Sequence, residues 1–436
     1  MFDYKFLVSS LIFVINVFLY NTAFAIEIII DKGVENPIPV AIVPFGWSQA
    51  SSVAPIDVAS IISNDLERSA RFAPMDEQDL PQRPVNFQDI NFKDWQLLGM
   101  ENLVIGQLNL DNNGNYTVDF RLIDVYKGKQ IAGFRLPSTS NQLRRTAHEI
   151  SDIIYEKLIG VKGAFATRVA YITVHKKSDG TKKYTLQIAD ADGYNPQILL
   201  ETPEPLLSPA WSPDGKKLAY VSFEGKNSAI YVQDILTGSR SKVSDFTGIN
   251  SAPAWSPDGS RLALTLSRDG NTEIYILHVT SNQLQRITSN PAIDTEPAWS
   301  NDGRKIAFTS DRGGSPQIYE IPASGGTPKR LTFEGPYNVS PIYSPDGENM
   351  VLTHGNNGKY RIALLNMKNG HMTILTDAQL DESPSFSPNG HMIMYTTMGA
   401  RGTALAAVSA DGQVHQRLAL QDGEVREPAW GPFLQR

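Results

Sequence analysis

Short apolar runs separated by polar turns, instead of long helical periods, fill the last two thirds of the chain. Runs such as Lys217-Leu-Ala-Tyr-Val-Ser222 and Arg261-Leu-Ala-Leu-Thr-Leu266 alternate only partly, are rich in strand formers and are too short for helices. A fixed phrase precedes each. It reads Pro209-Ala-Trp-Ser-Pro-Asp-Gly215 and returns at Pro253, Pro297, Pro341, Pro384 and Pro428, in steps of 44, 44, 44, 43 and 44 residues. Each unit parses into four strands: the Pro-aromatic segment, then a run after the Ser-Pro-Asp-Gly turn, then two more. In the turn, Pro presets φ and Gly takes the positive-φ position. Glycine-containing loops (Arg268-Asp-Gly270, Arg312-Gly-Gly314) lead to Glu273-Ile-Tyr-Ile-Leu277 or Gln317-Ile-Tyr-Glu-Ile321, and Gln285-Arg-Ile-Thr288 or Lys329-Arg-Leu-Thr332 closes the unit. Four strands in about 44 residues predict a β-propeller.

The strand count closes at six blades. Before Pro209, residues 168–174, 183–188 and 196–200 read as second, third and fourth strands without a first. Pro428-Ala-Trp430 is a first strand without followers. The two ends therefore share one blade, three strands plus one, and leave no open sheet edge at the seam. The aromatics at 211, 255, 299, 343, 386 and 430 occur once per blade, as wedges packed between neighbours would, not as a ligand-stacking series.

The first third reads differently. Lys5, the apolar residues 6–20 and Ala23-Phe24-Ala25 fit a cleaved secretory signal over residues 1–25. Residues 26–162 form a mixed α/β domain, and residues 163–436 the propeller. Within the α/β domain, residues 38–43 are a buried strand. Ile56, Ala59, Ile62 and Leu66 lie at helical spacing, as do Leu143, Ala147, Ile150, Ile154 and Leu158. Residues 103–110, 116–126 and 129–136 are strands, the first two joined by a hairpin turn ending at Gly114. A proline-rich loop spans 74–84.

Composition narrows the function. With 39 basic and 46 acidic residues among 436, the chain lacks the positive surface of a nucleic-acid binder. No apolar run after the leader reaches spanning length. Cysteine is absent, so an exported chain must hold together by packing alone, a condition that suits a bacterial periplasm. Nucleophile elbow, phosphate loop and His-Glu-x-x-His are missing, and the seven histidines show no metal-type spacing. The expectation is a monomer without cofactor, metal or catalytic residues.

A binding surface remains. Loops entering the innermost strands converge on one channel mouth, and here they differ among blades while the wedges repeat. The candidate contacts are Leu207, Ser208, Asn250, Ser251, Ala252, Asp294, Thr295, Glu296, Asn338, Val339, Ser340, Asp381, Glu382, Arg426 and Glu427. The carboxylates make this mouth acidic, suited to a basic or amide-rich ligand. A second candidate is the start of the mature chain: Ile26, Glu27, Ile28, Ile29, Ile30 and Asp31. It reads equally as a first strand of the α/β sheet or as a detachable strand that pairs with a partner's sheet edge.

The exported start, Ile26-Glu-Ile-Ile-Ile-Asp-Lys-Gly33, the segment 39–45 with Trp47, Leu158-x-Gly160-x-Lys-Gly-Ala-Phe165 and the six repeats together resemble the TolB family, the periplasmic component of the Tol–Pal envelope system. Asn301, Asn389 and Gly431 depart from the repeat without disturbing it. The resemblance implies a non-enzymatic adaptor. It implies that the lipoprotein Pal binds at the channel mouth and TolA at the mature N-terminus, the two sites being coupled. Outer-membrane integrity and constriction at division would be the role, with other envelope lipoproteins and bacteriocins as further partners. The rival reading is a periplasmic propeller that binds or processes a small sugar or peptide.

Overall fold

A computed structural model describes residues 27–49, 52–399, 402–419 and 423–434. The expected leader (1–25) and Ile26 lie outside the described residues.

The α/β domain is built from β2 (Ile38–Ile42), β3 (Gly46–Trp47), α1 (Val58–Arg68), β4 (Phe72–Pro74), α2 (Phe92–Leu97), β5 (Asn102–Leu110), β6 (Tyr116–Asp124), β7 (Lys129–Ser138) and α3 (Leu143–Ile159); β1 (Glu27–Lys32) lies elsewhere. Its sheet runs β4-β2-β5-β6-β7, with β3 also on β5. Burial alternates along β6, where Val118, Phe120 and Leu122 enter the core with α1 and α3. Those helices supply Val58, Ile62, Leu66, Ala147, Ile150 and Ile154, the stripes legible in the spacing. Asp57 caps α1 by accepting from Ser60 N at 3.0 Å. Gly160, at φ 90°, ends α3 by donating to Glu156 O. On the opposite face lies α2, in a stretch to which the sequence pattern assigns no element, and its Trp95 is fully buried against Leu103, Ile105 and Ile123. Six residues are too few for a helical stripe to show in sequence.

The rest is a ring of six four-stranded blades. The shared blade holds β8 (Arg168–Lys176), β9 (Lys182–Asp190), β10 (Gln197–Thr202) and the C-terminal strand Glu424–Trp430, which pairs β8 with Trp430 opposite Val169 and Glu424 opposite Val174. Each Ser-Pro-Asp-Gly turn is tied internally. The Ser hydroxyl donates to the Asp at 2.6 Å in Ser212–Asp214 and 2.5 Å in Ser256–Asp258, and the turn glycines have φ between 67° and 75°. Cores form between blades: Ala263, Ile274 and Ile276 of one pack with Trp299, Ile306 and Phe308 of the next. Three wedge indoles also bond across the gap. Trp211 donates to Ala429 O at 2.9 Å, Trp255 to Ala210 O at 3.2 Å and Trp299 to Ala254 O at 3.1 Å.

The N-terminal strand does not join the α/β sheet. β1 instead adds a fifth, antiparallel strand to the outer edge of the blade that begins at Asp381, pairing Glu27 with Ala419 and Ile30 with Gln416. The α/β-sheet reading of this segment is thereby corrected. Its apolar character fits either edge, and only the tertiary arrangement chooses between them.

Candidate functional site

The innermost strands line a channel of about 860 Å³. At the mouth, each of these strands carries a bulge, and one non-glycine residue there sits at positive φ: Ser208, Ala252, Glu296, Ser340, Ser383 and Glu427, between 48° and 55°. The following proline and wedge are thereby turned back into the blade. Bulge amides bond around the ring. Glu296 N donates to Thr265 Oγ1 at 3.2 Å and Glu427 N to Thr396 Oγ1 at 3.1 Å. Glu296 does more: its carboxylate accepts from Thr309 Oγ1 at 2.8 Å and from Ser340 N at 2.8 Å. Glu427 accepts from Ser208 N across the closing blade.

The mouth candidates fall into two groups. Asn250, Asp294, Asn338 and Asp381 have no exposed surface. Asn250 binds its own loop through Phe246 O at 2.6 Å, and Asn338 Oδ1 accepts from His354 Nδ1 at 2.9 Å. Asp294 is held by Arg312 at 2.6 Å, and Asp381 accepts from Thr397 Oγ1 at 2.6 Å. These four fix the loops. Val339 is nearly buried too, whereas Leu207, Ser208, Ser251, Ala252, Thr295, Glu296, Ser340, Glu382, Arg426 and Glu427 keep exposed surface. Arg426 pairs with Glu424 of its own strand. Burial, reinforced by the charge of Glu382, pushes the Glu427 carboxyl up; Glu296 and Glu382 both bear on Tyr337, whose phenol burial already raises. Three carboxylates thus share one concave opening.

The second candidate site is β1 itself. Its pairing with residues 415–419 is a backbone ladder, supplemented by Asp31 and Arg417 at 3.6 Å. Ile30 is 37% exposed.

Known proteins share this arrangement from end to end. Residues 155–434 match the TolB beta propeller domain, and residues 26–131 match the TolB amino-terminal domain. The chain belongs to the TolB family. The Tol-Pal system protein TolB of Thioalkalivibrio sulfidiphilus is 62% identical over 411 residues, 94% of each chain. That of Nitrosococcus oceani is 62% identical over 403 residues, 92% of each. The crystal structure of TolB from Acinetobacter baumannii superposes with a TM-score of 0.86 at 40% identity, over 94% of this chain and 100% of that one. The two sequence relatives are named for the Tol-Pal system. Among the described residues, no helix is long and apolar enough to cross a membrane.

The TolB-family mouth also has features that the sequence reading passed over. Ile249 (48% exposed), Ile293 (51%) and Phe333 (74%) stand on the loops that lead into innermost strands, and Met398 (50%) lies near the end of the second strand Met392–Gly399. A signal existed: Ile249 and Ile293 directly precede the buried Asn250 and Asp294, where a solvated loop would carry polar residues.

Proposed function

We propose that this TolB-family protein is an exported, non-enzymatic adaptor of the Tol–Pal system, with Pal on the channel mouth and TolA on the N-terminal strand. The observation that carries the reading is β1. It is a supernumerary fifth strand on a blade whose five counterparts have four, so its removal leaves the propeller topology complete. A strand of that kind suits exchange between its own sheet edge and a partner's. Acidic carboxylates at a mouth that also exposes Ile249, Ile293 and Phe333 support a protein partner there, since such interfaces combine apolar contacts with oriented polar groups. Export past a leader at residues 1–25 belongs to the same reading, as does a division of labour between residues 26–162 and 163–436.

Two measurements test it. Calorimetry with a soluble Pal domain should show at least a tenfold loss, about 1.4 kcal/mol, for the triple change Thr295→Ala, Glu296→Ala and Glu382→Ala; unchanged affinity removes the mouth assignment. Deleting residues 26–31 should abolish TolA binding and spare Pal binding. The channel volume of about 860 Å³ favours one rival, a small sugar or peptide held in the channel. A melting shift with cell-wall fragments and no protein partner would support that reading.

A further inference from the structure

Between the two domains lies a buried imidazole with a carboxylate at each nitrogen. His148 of α3 is 2% exposed. Its Nδ1 is 2.7 Å from Asp65 Oδ2 on α1, within its own domain. Its Nε2 is 3.6 Å from Asp192 Oδ2, in the β9–β10 turn of the propeller, and has no hydrogen-bond partner. Donor counting constrains the ring. Carboxylates only accept, and a neutral imidazole has a single N–H. With that N–H on Asp65, the Nε2 lone pair would face the Asp192 oxygens and repel them.

We propose that His148 is a proton-controlled latch between the α/β domain and the propeller, its imidazolium being the charge that binds Asp192 across the joint. The surrounding charges fit this role. On α1, Arg68 holds Asp65 at 3.0 Å. On α3, Arg144 holds Asp192, lies 3.9 Å from Asp190 and stacks over Tyr194 of the same propeller turn at 3.9 Å. Arg145 pairs with Glu149 at 3.3 Å, and Arg168 of β8 borders the same cleft. The ring and the two carboxylates would also suit a cation, their donor atoms lying within 4.8 Å of one another. Two guanidiniums already occupy the carboxylate faces, so the ring's own proton completes the balance. Asp152, on the next turn of α3, ties down the connection between the domains, accepting from Phe165 N at 2.7 Å and Ala166 N at 3.3 Å.

The sign is fixed by the groups present. Burial lowers the pKa of His148, but the charge and hydrogen bond of Asp65, then the charge of Asp192, outweigh it and hold the value above the ordinary 6.5. The latch is therefore complete below that ordinary value and is lost as pH rises through the raised one. Asp152 acts in the same direction, because burial raises its carboxyl to about 7 and ionisation near neutrality costs stability at the joint. Alkaline conditions loosen the domain contact.

The absence of native cysteine permits a direct test on the mature protein. Spin labels at Asn113→Cys and Lys368→Cys, both exposed and one in each domain, report the interdomain distance. Expected is a narrow distribution at pH 5.5 that widens on the order of twofold by pH 9, as a hinge released from one contact does. His148→Gln should remove most of the transition, and Asp192→Asn should lower its midpoint. A distribution unchanged to pH 9, or the same transition in His148→Gln, overturns the proposal. Should His148→Gln fail to fold, an unmoved midpoint in Asp192→Asn does so. Nitrogen NMR of the folded wild type adds a readout that a merely structural histidine would not move. Both His148 nitrogens should be protonated at pH 6, and a neutral ring there refutes the latch.

Discussion

At the scale of single residues, the channel mouth concentrates backbone strain. Six residues at φ near 50° share one position per blade, and none of them is glycine. Left-handed backbone costs an L-residue roughly 1–2 kcal/mol, from the close approach of Cβ to the carbonyl oxygen. Glu296 offsets that cost by clamping Thr309 and Ser340 of its own and the next blade, and Glu427 by holding Ser208. Ala252 has no polar side-chain atom with which to do so. Ala252→Gly should therefore raise stability by about 1 kcal/mol in urea unfolding, after allowance for the glycine's larger unfolded-state entropy. A destabilised variant would show that the methyl group packs usefully in the channel. Asp152 poses the opposite case, a polar group whose cost depends on pH. Its carboxyl titrates near 7 because it is buried, so the folded state holds a proton there that the unfolded state has released. From pH 4 to pH 7 this group takes up to about 1.4 kcal/mol of stability per pH unit. Asp152→Asn should lack that part of the slope, read as the wild-type-minus-variant difference in unfolding free energy across the window.

Among the secondary-structure elements, β1 is the least tied to its surroundings. The edge strand His415–Ala419 carries backbone groups that only β1 covers among the described residues. Deleting residues 27–31 should accelerate amide exchange along 415–419 by on the order of tenfold or more and leave the other five blades unchanged. Uniform exchange across all six would mean that β1 contributes nothing local. Elements of this kind mark the boundary of what sequence can disclose. The repeat showed the blades because every unit repeats its turn chemistry, from Ser212–Asp214 to Ser387–Asn389. α1 and α3 were legible because each buries several aliphatic residues at a helical period. α2 was hidden by its brevity, with only Trp95 reaching the core. The pairing of β1 was hidden because an apolar strand carries no label for the edge that it will join. At the mouth, Asp294 and Glu296 look alike in sequence, yet one is buried against Arg312 and the other opens on the channel. The difference comes from the bulge between them and the strand core, and the sequence there has no glycine to announce it.

For the whole molecule, closure is the decisive event, since no disulfide joins the first and last blades. The C-terminal strand carries this task through three kinds of contact. Its backbone pairs β8 from Glu424 to Trp430. Trp430 N donates to Ser385 Oγ of the neighbouring blade at 2.9 Å, and its indole donates to Thr167 Oγ1 at 2.9 Å. Trp211 in turn donates to Ala429 O, so both neighbours of the shared blade are bound to this one strand. Losing the strand would expose the inner edge of β8 and the apolar faces of Val169 and Tyr171, a row of unpaired groups of the kind that drives aggregation. Removal of residues 424–436 should therefore give a chain that aggregates or melts without cooperativity. Trp430→Ala is the graded form of the same test. It keeps the ladder and deletes one wedge and the indole's hydrogen bond to Thr167, for a loss of about 3–5 kcal/mol by the usual aromatic truncation scale. Calorimetry separates two outcomes. If the ring is cooperative, the propeller's whole transition moves down as a single peak. If each blade is held only by its immediate neighbours, an early shoulder splits off from an otherwise unmoved peak, and closure by the last strand would then be a local fastening and not the step that makes the ring one unit.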